Sequence, residues 1–162
     1  MRHFRLAAGL LCAALAAAPV SAADTNPEQP IVDILQRLAA TTDSVDRVTL
    51  PNRLERLILL ARPDDVSPST IDQLGALLDD DSDVIRWKIS FALSFMGPKA
   101  STTIPALEKA LLNVREERNA TLRKGETFVG AGFTSGFTIC QTLMTLKVDP
   151  LPGDCAFYME TR

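Results

Sequence analysis

The chain has 162 residues, of which 46% are hydrophobic and 23% charged, so its length and composition suit one globular domain. With 17 Lys and Arg against 20 Asp and Glu, the formal net charge is −3. This balance argues against a nucleic-acid partner, because nucleic-acid binders need a basic surface. The single histidine, His3, lies in a segment that we expect to be removed.

The first residues have the layout of a secretory signal. Met1–Arg5 carries two arginines and no acid, Leu6–Ala18 is apolar, and Val20–Ala23 supplies the small residues that a signal peptidase needs. The thirteen residues of the apolar run are too few to span a bilayer comfortably.

Cleavage is expected after Ala22 or Ala23. Residues 1–23 are then a signal peptide, and residues 24–162 form a single domain. The high alanine content and the short apolar run are typical of bacterial signals, so we expect the protein in the periplasm, or secreted, with no membrane span after cleavage.

Two cysteines, Cys140 and Cys155, remain after cleavage. An even number of cysteines in an oxidising compartment predicts a disulfide. Closing a loop of this size stabilises a protein by about 3 kcal/mol in the chain-entropy model. The alternative is a redox-active pair, but exchange catalysts usually place their cysteines in a Cys-x-x-Cys turn, and this spacing is far wider.

Apolar stripes predict the first two helices. The first helix begins at Pro30, and its stripe consists of Ile31, Ile34, Leu35 and Leu38. Thr41–Leu50 is polar and precedes Pro51, so it is predicted to be a connection. The second stripe ends before Pro63 and consists of Leu54, Leu57, Ile58 and Ala61.

Signals at helix ends predict the next two helices. Ser67 followed by Pro68 is typical of an N-cap and the first helical residue. An acidic turn, Asp79–Asp83, leads into a fourth helix from about Asp83 to Met96, which ends at Gly97.

A fifth helix is predicted to start near Ser101 or Thr102, with Pro105 in its first turn. Its apolar stripe consists of Ile104, Leu107, Leu111 and Leu112. No segment shows sustained strand alternation between turn signals, so the predicted fold class is all-α.

The segment 127–146 contains no charged residue and is long enough to span a membrane. Its many Thr and Gly residues lower its apolarity well below that of a usual spanning helix, and they favour a central helix buried by its neighbours. One face of this helix would carry Phe133, Phe137, Cys140 and Met144.

Residues 70–112 resemble a HEAT repeat. Leu74–Arg86 is similar to the first helix, acidic turn and Val/Ile-Arg opening of such a repeat. Ala92–Pro98 resembles the end of its second helix, and Ile104–Leu107 the start of the next repeat. The match is good over about a quarter of the chain, whereas Arg123–Arg162 departs from the pattern because it lacks the acidic turn and the Val-Arg opening.

The resemblance implies a short α-solenoid of HEAT-like antiparallel helix pairs. In this family an acidic residue in the turn and an arginine six places later form a ladder between repeats, and Asp80 and Arg86 match that spacing. Because a single helix pair cannot bury its apolar face alone, neighbouring pairs must stack.

After cleavage, the chain lacks the residues that several common catalytic mechanisms require. Without histidine there is no Ser-His-Asp or Cys-His nucleophile and no histidine metal site, and the sequence lacks Gly-rich phosphate loops. The acidic turn alternates Asp79, Asp81 and Asp83 as calcium loops do, but Val84 and Ser90 stand where Gly and Glu are needed. The turn is therefore interpreted as a solvated helix cap, with no metal or cofactor expected.

The leading hypothesis is a non-catalytic periplasmic protein–protein interaction module built on HEAT-like repeats, whose partner is another protein. One alternative is a small inhibitor or immunity-type protein that neutralises an exported toxin. A second is an enzyme that uses carboxylates, which would need two acids converging in a cleft.

The candidate partner-binding residues lie on the fourth helix. Its core stripe consists of Ile85, Ile89, Ala92, Leu93 and Met96. Trp87, Lys88, Phe91 and Phe95 then point elsewhere, and aromatic side chains with a cation are typical of interface anchors. The alternative is that the Leu54 helix or the Phe133 helix covers this face.

Overall fold

The computed structural model describes residues 26–126 and 131–160, and every regular element in them is helical. The α-helices are α1 Gln29–Ala40, α2 Ser44–Leu60, α3 Pro68–Ala76, α4 Asp83–Met96, α5 Ile104–Arg123, α6 Ala131–Thr145 and α7 Asp154–Glu160. Short 3-10 helices occupy Pro63–Asp65, Leu77–Asp79 and Gly97–Thr103. The predicted all-α class is confirmed.

Local sequence signals explain α1, α3 and α4. The stripe predicted for α1 is its buried face. The Ser67 hydroxyl accepts a hydrogen bond from the Thr70 amide and so caps α3. Gly97 ends α4 with a positive φ of 53°, a backbone conformation that residues other than glycine seldom adopt.

The prediction that Thr41–Leu50 is a connection was wrong, because α2 already begins at Ser44. The Asp43 carboxylate accepts hydrogen bonds from the amides of Val45 and Asp46, which starts the helix well before Pro51. Pro51 inside a helix removes one backbone hydrogen bond and costs about 3 kcal/mol. Burial of Leu50, Pro51 and Leu54 on this side of α2 offsets that cost.

The helices pack in two overlapping series. α2 contacts α4, and α4 contacts α6. On the other side, α1 contacts α3, and α3 contacts α5. Contacts also join α1 to α2, α3 to α4 and α5 to α6, and buried apolar side chains from all seven helices form one core.

The buried face of α6 differs from the predicted one. Cys140 is buried, but Met144 is exposed and Phe137 only half-buried, while the side chain of Phe133 lies outside the described residues. The buried positions of α6 instead include Ser135, Thr138 and Thr142, together with Ile139 and Leu143. Hydroxyl groups are tolerated here because they bond to nearby carbonyls: Thr142 Oγ1 donates to the Thr138 and Ser90 oxygens at 2.8 Å each.

Candidate functional site

Trp87, Phe91 and Phe95 lie on one face of α4, between α2 and α6. Trp87 and Phe91 are half-buried, and Phe95 keeps 43% of its surface exposed. The rings of Phe91 and Phe95 meet edge to face, with centroids 4.8 Å apart. The neighbouring helices therefore leave part of this aromatic face accessible.

Lys88 is held within the fold. Its Nζ lies 2.6 Å from Glu55 Oε2 on α2 and 4.2 Å from the centroid of the Trp87 ring. Only 11% of the Lys88 side chain is exposed. The lysine thus joins α4 to α2, and Glu55 neutralises its charge.

Phe91 also forms one wall of a groove between α4 and α6. The groove has a volume of about 340 Å³. It is lined by Phe91, Ser94, Thr138, Gln141, Thr142, Met144, Thr145 and Met159. None of these residues carries a charge, so the groove suits uncharged side chains.

A second groove of about 370 Å³ lies between the end of α6 and α7. Its lining consists of Met144, Leu151, Pro152, Gly153, Cys155, Ala156 and Met159. Met144 and Met159 line both grooves, which are therefore neighbours beside the aromatic face. We call Phe91, Phe95, Met144 and Met159 the aromatic–methionine surface.

Hydroxyl groups in the wall of the first groove are used by the backbone. Ser94 Oγ donates to the Phe91 oxygen at 2.6 Å, and Thr145 Oγ1 donates to the Gln141 oxygen at 3.0 Å. A hydroxyl whose proton is committed in this way offers a ligand only an acceptor and, for threonine, a methyl group. At these two positions the wall therefore offers a ligand hydrogen-bond acceptors rather than donors.

Sequence reasoning missed the two methionines of this surface. Met144 was assigned to a buried stripe, and Met159 lies on α7, a helix that was not predicted. Their signal was weak, since an isolated methionine carries no periodicity. Methionine is nevertheless a residue that adapts its shape to varied apolar partners.

A charged cluster lies under the other side of α4. The Arg86 side chain is only 2% exposed. It donates to Glu117 of α5 through Nη1 at 2.9 Å and through Nη2 at 2.6 Å, and to the backbone oxygen of Asp80 at 3.1 Å. The bidentate pair ties α4 to α5.

Asp83 completes this cluster, and its buried carboxylate is only partly compensated by its neighbours. Its Oδ1 accepts a hydrogen bond from the Ser135 hydroxyl and lies 3.4 Å from Arg86 Nη2, but its buried Oδ2 has no hydrogen-bond partner in the described parts of the chain. Burial raises the pKa of the Asp83 carboxyl above its ordinary value, against the lowering effects of Ser135 and Arg86.

The acidic turn before α4 is neutralised by cations from neighbouring helices. Arg47 of α2 lies 2.5 Å from Asp80 and 2.7 Å from Asp81, and Lys109 of α5 lies 2.8 Å from Asp79. The carboxylate of Asp80 thus faces Arg47, whereas Arg86 contacts the Asp80 backbone oxygen. Among the residues with described positions, no group of side chains is arranged to hold a metal ion.

The predicted disulfide is confirmed. Cys140 of α6 and Cys155 of α7 are bonded, and both are buried. The bond fixes α7 against α6, where the buried ring of Tyr158 packs over Gly136. It therefore fixes the helix that supplies Met159 to the aromatic–methionine surface.

Comparisons with protein families, with curated proteins and with solved structures find no match to this chain. In the described part of the chain, no helix combines the length and the apolarity that crossing a bilayer requires.

Proposed function

We propose that this protein is a non-catalytic protein–protein interaction module that is exported to the periplasm and binds its partner on the aromatic–methionine surface. The observation that carries the proposal is the exposure of Phe95 beside an uncharged groove lined by Phe91, Met144 and Met159. Exposed aromatic and apolar side chains are typical of interaction sites, where aromatic residues dominate the binding energy.

A short α-solenoid of HEAT-like pairs is the architecture that we propose for the module. The pairs would be α1 with α2, α3 with α4 and α5 with α6, since each pair is in contact and so are α2, α4 and α6 in series. Salt bridges between successive pairs support this arrangement. Arg47 of α2 pairs with Asp80 in the turn before α4, and Arg86 of α4 pairs with Glu117 of α5.

Export is supported by the chain's two ends. The N-terminal residues have the basic, apolar and small-residue order of a signal peptide. The buried Cys140–Cys155 disulfide is a feature of oxidising compartments such as the periplasm.

Truncation of Phe95 tests the binding surface. Phe95→Ala is expected to reduce capture of a stoichiometric partner from periplasmic extract at least about tenfold, because exposed aromatic anchors contribute on the order of 2 kcal/mol or more to binding. Leu112→Ala is the matched control, because Leu112 lies on α5 and is as exposed as Phe95, at 44% against 43%. Thermal unfolding of both variants should stay close to that of the unmodified protein.

Two results would contradict the proposal. One is equal capture by Phe95→Ala and Leu112→Ala, which would place the interaction elsewhere. The other is the absence of any stoichiometric partner together with turnover in an activity screen, which would favour the enzyme hypothesis.

A further inference from the structure

The charges of α2 are unevenly compensated. Asp46 pairs with Arg37 at 3.1 Å, Arg47 with the acidic turn, and Glu55 with Lys88. Arg53 and Arg56 are exposed and have no ion pair within residues 26–126 and 131–160. The uncompensated charge of this helix is therefore positive.

The other two helices of the same layer add nothing to this charge. On α4, Arg86 and Asp83 belong to the buried cluster, and Lys88 is neutralised by Glu55. The sequence of α6, Ala131–Thr145, contains no charged residue. Across α2, α4 and α6, two arginines thus provide the uncompensated charge in the described structure.

Exposed aliphatic residues share the outward face of α2 with Arg56. Val45, Val48, Asn52, Arg56 and Leu59 follow each other at intervals of three or four residues, which places them on one side of a helix. All five are exposed. This outward α2 face is therefore aliphatic and carries Arg56, and Arg53 lies at its edge towards α1, where it lines a cavity with Arg37 and Asp33.

We propose that the outward α2 face binds an acidic amphipathic segment of the partner protein, with aliphatic side chains over Val45, Val48 and Leu59 and carboxylates at Arg53 and Arg56. The proposal rests on the proposed function, because it specifies the partner's chemistry. Charge complementarity of this kind sets specificity and association rate more than affinity.

The net negative charge of the chain does not prevent this interaction. Charges farther away than the Debye length, about 8 Å at physiological ionic strength, are largely screened, so the local arginines dominate at contact. An anionic membrane is the less favourable occupant. Electrostatic membrane binding usually uses clusters of about four to eight basic residues, whereas this face and its edge offer two, Arg56 and Arg53.

The test uses a phage-displayed library of random peptides panned on the purified protein and on an Arg53→Glu/Arg56→Glu variant. Peptides selected on the unmodified protein should combine apolar residues with Asp and Glu, and those selected on the variant should replace the acids by Lys and Arg. A synthetic acidic peptide from the first selection should bind the variant about tenfold or more weakly at low salt, with the difference shrinking as salt is added.

Arg123→Glu/Lys124→Glu is the matched control, because it makes the same change in charge at exposed cations at the end of α5. It should leave both the selected sequences and the affinity unchanged. All four substituted side chains are exposed, so both variants are expected to fold, and thermal unfolding checks this.

Four outcomes would overturn the inference, and only one of them would affect the proposed function. Selected peptides that lack acids but lose binding in Phe95→Ala would leave the proposed function intact. Binding to phosphatidylglycerol vesicles that the Arg53→Glu/Arg56→Glu variant loses would identify a lipid surface, and a dimer that the same variant loses would identify a second copy of this chain. Failure to select any binding peptide would count against the proposed function as well.

Discussion

Asp83 illustrates how a single side chain can serve two purposes at an energetic cost. As the first residue of α4 it lies where the helix dipole favours a negative charge, and it accepts hydrogen bonds from Ser135 and Arg86. Its side chain is nevertheless only 16% exposed, and burial raises the pKa of the carboxyl. Ionised Asp83 therefore connects α4 to α6 while opposing the folded state.

The raised pKa predicts how Asp83→Asn changes stability with pH. A carboxyl whose pKa is higher in the folded than in the unfolded state contributes stability below its unfolded pKa and loses that contribution as pH rises through the folded pKa. The free energy of unfolding of Asp83→Asn, relative to the unmodified protein, should therefore increase between pH 3 and pH 7, by about 1.4 kcal/mol for each unit of pKa shift. Urea unfolding at several pH values measures this difference.

Asp79→Asn provides the opposite control. A hydrogen bond from Lys109 lowers the pKa of the exposed Asp79 carboxyl, so its stabilising contribution is present above the unfolded pKa and disappears as pH falls. Relative to the unmodified protein, this variant should gain stability on acidification. A pH dependence of the same sign for both variants would show that burial does not govern the titration of Asp83.

Two elements, α6 and α7, approach so closely that only glycine fits between them. A Cβ atom added at Gly136 would lie 2.5 Å from the ring of Tyr158, which is 1% exposed. Gly136→Ala is therefore expected to destabilise the protein by about 1–3 kcal/mol, since the ring must move in a packed core. The midpoint of urea unfolding measures the effect.

Gly153→Ala is the matched control, because nothing lies within 4 Å of a Cβ atom added at that position. Its free energy of unfolding should change by less than about 0.5 kcal/mol. Equal stability of the two variants would mean that Tyr158 does not pack on α6 as described.

Helices were predicted well where the decisive signals are local. The bounds of α4 follow from the acidic turn and Gly97, and the start of α3 from Ser67 and Pro68, because caps act within a few residues. The start of α2 was missed because Pro51 was interpreted as a break, while its tertiary contacts decide otherwise. α7 has only seven residues, too few for a periodic pattern, and the disulfide anchors it.

The candidate site was predictable only in part. The aromatic face of α4 follows from helical spacing alone, but the exposure of Phe95 depends on how far α2 and α6 cover that face. Likewise, the neutralisation of Lys88 depends on Glu55, which lies 33 residues away in sequence. Contacts over such separations leave no signal in the local pattern of a single sequence.

At the scale of the whole molecule, the proposed export and the disulfide are expected to depend on each other. Disulfides such as Cys140–Cys155 form and persist in oxidising environments, and we proposed above that the N-terminal residues are a signal that delivers the chain to one. Without the bond, the loop between the cysteines loses a constraint that is worth about 3 kcal/mol. A chain that is not exported is therefore expected to lack the disulfide and to be less stable.

Blocking the signal tests this coupling. Expressed in a bacterium, the unmodified protein should be released from the periplasm with Ala23 or Asp24 as its first residue and without reactive thiols after unfolding. Leu10→Arg, which places a charge in the apolar run, should keep the chain in the cytoplasm at full length, where all three cysteines of the sequence react. Mass spectrometry after thiol labelling distinguishes the two forms. Since α7 supplies Met159 to the aromatic–methionine surface, the reduced form should also bind the partner less tightly. If the unmodified protein stays at full length and its thiols react, both the proposed export and the formation of the disulfide in the periplasm are contradicted.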